Sequence, residues 1–202
     1  MSQAHWDDLW ADRTPDEVSW FQAEPTESLA LIRSVTSLDA SIVDIGGGAS
    51  RLVDALLGAG YSELTVLDLA SAALAQCRER LGERAQDVDW VVGDVTTHEF
   101  GRTFDLWHDR AVLHFLVAPE DRNRYADAVR RSVAAGGHAV IATFSPSGPQ
   151  GCSGLPVQRY DESAMIDLLS DGFEGIEFVE SHHVTPAGAS QDFLFGLFER
   201  LP

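Results

Sequence analysis

Residues 41–50 read SIVDIGGGAS. Ile42, Val43 and Ile45 form a short β-branched run, and Gly46, Gly47 and Gly48 stop it. Ser50 can then cap a helix whose inner face is Leu52, Val53, Leu56 and Leu57, with Gly58 and Gly60 at its end. Ligands of open α/β sheets bind at the carboxyl ends of the strands, so this triplet is a candidate ligand loop. Glycines there let backbone approach a ligand closely, and the next helix offers free N–H groups. Asp44 stands inside the apolar strand. A buried carboxylate there needs a partner such as an ammonium group or backbone N–H groups, and it repels a pyrophosphate.

Outward from this stretch, strands alternate with helices. Pro25 opens a helix with Leu31, Val35 and Leu38 on one face. ELTVLD (63–68), VDWVVGD (88–94), FDLWHD (104–109) and HAVIATF (138–144) read as further strands. Ser71 starts a helix with Leu74, Cys77 and Leu81 inward. Pro119, Glu120 and Asp121 start another, carrying Tyr125, Val129 and Val133 and ended by Gly136 and Gly137. Met165, Leu168 and Leu169 mark a last helix, and two strands near 173–180 and 191–199 close the chain. Their linker is short and holds no helix, so they pair antiparallel. The pattern is α/β with a mostly parallel sheet. Residues 145–160 are rich in Gly and Pro and read as a long, functional loop.

The 202 residues fit one domain, and 45% hydrophobic content excludes a disordered chain. A net charge of −18 makes nucleic acids and anionic membranes poor partners. Two cysteines, Cys77 and Cys152, make no disulfide framework and no zinc cluster, so no metal is expected. Cys77 reads as core, and Cys152 has no adjacent base. The start lacks a leader pattern, and no apolar run is long enough to span a bilayer, so the expected location is cytoplasmic.

Two more acids join Asp44. Asp68 ends the second strand, where a carboxylate can accept both hydroxyls of a ribose. Asp94 follows the third, where an adenine amino group would lie. Three acids at successive strand tips fit a cationic adenosyl ligand better than a dinucleotide. A nicotinamide oxidoreductase is the weaker alternative, because Gly46-x-Gly48-x-x-Arg51 lacks the third glycine of that fingerprint. A catalytically silent binding module is the other.

VDIGGGASR, VLDLA, VVGDV, FDLWHDRAVLHFL and AAGGHAVIATF, in that order, resemble the motif set of class I S-adenosylmethionine-dependent methyltransferases. The resemblance implies a Rossmann-like α/β fold: a seven-stranded, mostly parallel sheet in the order 3-2-1-4-5-7-6, its last strand antiparallel, with helices on both faces. It implies S-adenosyl-L-methionine as cofactor. Asp44, Gly46, Gly47 and Gly48 would border the methionine moiety, Asp68 the ribose, Leu69 the adenine, and Asp94 with Val95 the adenine edge. His108, Asp109 and Arg110 would sit near the methyl group. The loop departs from the usual G-x-G-x-G at Ser50, and the Asn-Pro-Pro-aromatic signature of nucleic-acid amino methylation is absent.

On the acceptor side, Trp6, Trp10 and Trp20-Phe21-Gln22, then Trp107-x-Asp109-Arg110-Ala111-x-Leu113, then Asp121-Arg122-x-x-Tyr125-Ala126-Asp127, are similar to thiopurine methyltransferases. The Asp-Arg pair also resembles elongation-factor lysine methyltransferases. The acceptor therefore stays open between a small molecule and a protein side chain. His108, Asp109 and His114 are the base candidates. Arg110 either pairs with Asp109 or grips an anionic or aromatic acceptor. His182 and His183 can face the same rim. Residues 1–24 read as an aromatic arm whose Trp20 and Phe21 close over the site, and residues 25–202 as the methyltransferase domain.

Overall fold

A computed structural model describes residues 3–11 and 13–202. The arm contributes α1 (Gln3–Ala11) and a single 3-10 turn at Pro15–Glu17. The body then runs α2 (Thr26–Val35), β1 (Ser41–Ile45), α3 (Leu52–Ala59), β2 (Glu63–Asp68), α4 (Ser71–Leu81), β3 (Val88–Val92), β4 (Phe104–Arg110), α5 (Pro119–Ser132) and β5 (Val133–Phe144). It ends with a tiny hairpin, β6 (Gly151–Cys152) and β7 (Leu155–Pro156), then α6 (Glu162–Leu169), β8 (Phe173–Val184) and β9 (Ser190–Arg200).

The main sheet has seven strands in the order β3-β2-β1-β4-β5-β9-β8. β1 to β5 pair in parallel, and β9 runs antiparallel to both β5 and β8. Counted within this sheet, that is the expected order 3-2-1-4-5-7-6. Strand alternation divides the core between two faces. Ile42, Val66, Leu106 and Val140 pack with Leu31, Ile32, Leu52, Leu56 and Leu74 of α2, α3 and α4. Val43, Ile45, Trp107 and Ile141 pack with Tyr125, Val129, Met165 and Leu169 of α5 and α6. Helices therefore cover both faces, as a parallel sheet requires.

Some expected boundaries move. α2 stops at Val35, and Leu38 is 54% exposed beyond it. The turn to β1 starts before a third apolar contact can form. α5 stops at Ser132 rather than at Gly136, because Val133 already pairs with Phe104 at the start of β5. The sheet edge takes residues that helix periodicity would have claimed. β8 extends to Val184, so the closing hairpin is tighter than its Gly/Pro-rich linker implied.

Candidate active site

The tips of β1, β2 and β4 open into one cavity. Asp44, Gly46, Gly47, Asp68, Leu69, Asp94, Val95, His108 and Arg110 line it, together with Trp20 and Phe21 of the arm.

The glycine loop is shaped by two needs. Gly46 has φ +67°, a left-handed conformation costly for a side chain, and its N–H donates to Leu67 O at 2.7 Å. At Gly47 a Cβ would overlap Asp44 Oδ2 and lie 2.8 Å from Val66 Cγ1. Gly48 does not line the cavity; it packs against the Asp68 carboxylate. Ser50 Oγ accepts from Leu52 N–H at 3.0 Å, but Arg51 and not Ser50 takes the N-cap position of α3. Ser71 plays no such role, since Asp68 Oδ1 accepts from Ala70 N–H at 2.7 Å at the start of α4.

The acids are unequal. Burial pushes Asp68 up to about 7, and the nearby charge of Asp44 pushes the same way, against the backbone N–H groups of Ala70, Gly48 and Leu69. Asp44 is 4% exposed, and its Oδ1 meets His108 Nδ1 at 2.7 Å. His108 Nε2 in turn meets Ser28 Oγ at 2.9 Å. Asp44 Oδ2 is buried with no hydrogen-bond partner. Asp94 Oδ1 accepts from Thr96 N–H and Oγ1 in a tight turn. A buried carboxylate with an oxygen unspent, beside the half-buried Asp68, calls for a cationic ligand carrying N–H donors. These residues thus fit an adenosyl sulfonium with an amino group, and the bare Gly47 leaves room for the Asp44 carboxylate.

At the β4 tip the expectation divides by alternation. His108 and Arg110 point toward the cavity face, and Asp109 points to the other. Asp109 is 0% exposed; its carboxylate accepts from Val112 N–H at 2.8 Å, Leu113 N–H at 3.0 Å and Tyr125 Oη–H at 2.6 Å. Burial raises its carboxyl to about 6. Its partners among the described residues include no arginine, and it does not line the cavity, so it holds the turn after β4. His114 is also removed from the cavity. It is fully buried, stacked 4.5 Å from Phe144, and burial pushes it down to about 3. Ala111, between Arg110 and this turn, holds φ +78°, strain of the kind that accumulates at functional sites.

The arm lies across the cavity mouth. Trp6, Trp10, Val18, Trp20 and Phe21 line the space, and Trp6 and Trp10 stand edge-on to Trp20 at 6.1 Å. Side chains of the body bond its backbone: Gln76 Nε2 to Trp10 O at 2.9 Å, Arg110 Nη1 to Trp20 O at 2.9 Å, and His183 Nε2 to Ser19 O at 2.8 Å. The 145–160 loop does not reach the cavity. Leu155 and Val157 pack on the core, and Cys152 Sγ stands 4.0 Å from Ser19 Oγ, behind the arm. His182 is exposed and bonded to Asp192. Cys77 is buried, as expected.

Sequence reasoning missed Ser28. Its signal was available: Ser28 lies one turn before Leu31 and Ile32 on the buried face of α2, a polar residue where an apolar one belongs. It also missed Val112 and Phe115, which line the cavity from the turn after β4.

Residues 42–137 match the family model described as a methyltransferase domain. The match spans just under half of the chain and, with the fold, supports a class I S-adenosylmethionine-dependent methyltransferase. Among curated relatives of this chain, an eEF1A lysine and N-terminal methyltransferase of Danio rerio is 25% identical over 148 residues, 71% of this chain and 21% of that protein. The chain thus spans about a fifth of that relative's length. Nodulation protein S of Rhizobium fredii is 31% identical over 101 residues, half of each chain. Among solved structures, one from work on converting a disulfide bond into a thioacetal group during echinomycin biosynthesis superposes with a TM-score of 0.79 at 20% identity. It covers 99% of this chain and 93% of its own. The N-methyltransferase NodS of Bradyrhizobium japonicum superposes at 0.71 and 22% identity, covering 88% and 94%. At these identities the structures establish the fold. Among the described residues, no helix is long and apolar enough to cross a membrane, and no His/Cys/Asp/Glu group could hold a metal.

Proposed function

We propose that this methyltransferase moves the methyl group of S-adenosylmethionine to a small-molecule acceptor enclosed between the β4 tip and the N-terminal arm. The observation that carries the reading is the single cavity itself. Its one wall holds the three strand-tip acids, and its other wall holds Arg110 and the arm's aromatic rings. Asp68 accepts the ribose hydroxyls, Leu69 and Val95 flank the adenine, and Asp94 stands at its edge. Asp44 Oδ2, Gly46 and Gly47 receive the methionine end, and the Ser28–His108–Asp44 chain fixes the carboxylate's direction. When bound, the cofactor supplies a methyl group on a sulfonium, electrophilic enough to be displaced in line.

The chain's own work is then alignment and exclusion of water. Of the base candidates, His108 alone lines the cavity, and both its ring nitrogens are engaged. The reading therefore favours acceptors that are nucleophilic near neutral pH without a protein base, a thiol or an amine of modest basicity. The arm covers the acceptor wall, which favours a small molecule over a folded protein.

Calorimetry with S-adenosylhomocysteine and with NAD, followed by a labelled-methyl screen of thiols, amines and cell extract, tests this. The expected result is binding of S-adenosylhomocysteine alone, and label in the small-molecule fraction. Binding without any transfer would leave a silent module. Label confined to protein would overturn the small-molecule acceptor.

A further inference from the structure

Arg110 is an unspent group at the cavity. It is part-buried, but its Nε and Nη2 are shut off from solvent and have no hydrogen-bond partner among the described residues. Only Nη1 is used, on the backbone of Trp20. The guanidinium carbon lies 4.4 Å over the ring of Phe193, which fixes the plane of the group. Nε and Nη2 form the side of a guanidinium that engages a carboxylate with two parallel bonds. A buried cation with that side open is costly unless something anionic takes it.

We propose that Arg110 is the specificity residue of the acceptor site, and that it takes the carboxylate of an aromatic or apolar acid. This rests on the methyl-transfer reading above and names the class of acceptor. Three features of the surroundings narrow the choice. Arg110 and Phe115 line the cavity with Trp20, so the body of the ligand meets aromatic surface. Asp44 lines the same cavity and the Glu27 carboxylate is near enough to favour the Arg110 charge, so a doubly charged phosphate would meet more repulsion there than a single carboxylate. Finally, the same guanidinium holds Trp20 O with Nη1. A carboxylate on Nε and Nη2 fixes the plane that holds the arm, so acceptor binding and arm closure reinforce each other. A neutral analogue of the same shape leaves the buried cation unsatisfied and gains none of this.

The test uses the whole chain with S-adenosylhomocysteine bound. Benzoate, nicotinate and phenylacetate are titrated beside their primary amides, with tryptophan fluorescence of the arm and calorimetry as readouts. At least one acid is expected to bind more tightly than its amide by about tenfold or more, as a two-point charged bond implies. Arg110→Met is expected to erase that preference while leaving S-adenosylhomocysteine affinity within about threefold. Arg110→Lys, which keeps the charge and loses the fork, is expected to retain a minor part. If Arg110→Met does not fold, Arg110→Lys and the acid-to-amide ratio of the parent decide. No acid outbinding its amide in the parent overturns the proposal, as does an unchanged ratio in Arg110→Met or an undiminished one in Arg110→Lys. Titration of the same acids without S-adenosylhomocysteine separates the two readings. Absence of S-adenosylhomocysteine binding would sink the methyl-transfer reading, and the acid-to-amide ratio would still report on Arg110.

Discussion

The two walls of the cavity are built in opposite ways. The wall of β1, β2 and β3 is assembled from short strand–loop segments. Asp44 with Gly46–Gly48, Asp68 with Leu69, and Asp94 with Val95 each lie within a few residues of a strand end. The wall at β4 is assembled across the chain. Arg110 reaches Trp20 O over 90 residues, His108 reaches Ser28 over 80, and His183 reaches Ser19 O over 164. One wall carries unspent negative charge, at Asp44 Oδ2, and the other unspent positive charge, at Arg110. A local motif is enough to place a nucleoside, whereas an acceptor site waits for tertiary closure.

The comparison breaks most visibly at Asp68. Asp68→Ala removes the charged acceptor expected for two ribose hydroxyls, and S-adenosylhomocysteine affinity should fall by about 2–4 kcal/mol. Asp68→Asn should recover part. Calorimetry on both variants checks this, and parent-like binding by Asp68→Ala would place the nucleoside elsewhere.

Asp109 sits one residue from Arg110 and has the opposite function in this comparison. Three donors converge on its buried carboxylate. Asp109→Asn turns an amide NH₂ toward N–H and O–H donors and should cost about 2–3 kcal/mol of stability. Denaturant melts should show that loss while S-adenosylhomocysteine affinity of the folded fraction holds. A normal melt with a collapsed rate would return Asp109 to the reacting groups.

The sheet order, the glycine loop and the three acids were legible because each rests on contiguous residues with a strong period or a strong breaker. Which acid at the β4 tip faces the cavity was equally written in the chain, since alternation from the buried Leu106 sends 108 and 110 one way and 109 the other. Ser28 was readable as a polar break in the apolar face of α2. The arm's seat was not. Nothing local to Ser19 and Trp20 says that their carbonyls meet His183 and Arg110, because those partners come from distant strands brought in by the fold. The 145–160 loop misled for the same reason: its composition marks a loop, but its hydrophobic residues, Leu155 and Val157, choose the core over the cavity.

Asp68 at the cavity and Asp109 behind the β4 tip titrate in the same direction, which gives a sharper comparison by pH. Asp68 and Asp109 have folded values raised to about 7 and about 6 from 3.8. The folded state then holds more protons than the unfolded one between about pH 4 and 7. Stability from these groups is full below the unfolded value and is lost as pH rises through the folded one. Thermal melts of the free protein should fall across that window. Ribose hydroxyls favour ionised Asp68, so S-adenosylhomocysteine binding near pH 6.5 should release a proton, seen as a buffer-dependent enthalpy. Asp68→Asn should abolish that release and leave the Asp109 part of the slope.

The smallest effect concerns how the arm is held. His183 Nε2 donates to Ser19 O in a partly enclosed setting, and one such bond is worth about 0.5–1.5 kcal/mol. His183→Ala removes it and leaves Arg110 on Trp20 O and Gln76 on Trp10 O. The arm should stay docked, since Trp10 and Val18 are buried against Ala49, Ala70 and Ala73. Its last segment should open more often. Amide exchange at residues 18–22 should quicken by roughly three- to tenfold, the factor that such a free energy sets, while exchange in β1 and β2 stays unchanged. Because the bond touches the acceptor wall alone, S-adenosylhomocysteine affinity should move by less than about twofold. The acceptor's KM should rise by more than kcat falls, as a loss of uniform binding requires. Equal weakening of S-adenosylhomocysteine and acceptor binding would mean that the arm covers the cofactor as much as the acceptor. Unchanged exchange at 18–22 would mean that the aromatic contacts alone hold it and that the division between the walls stops at Arg110.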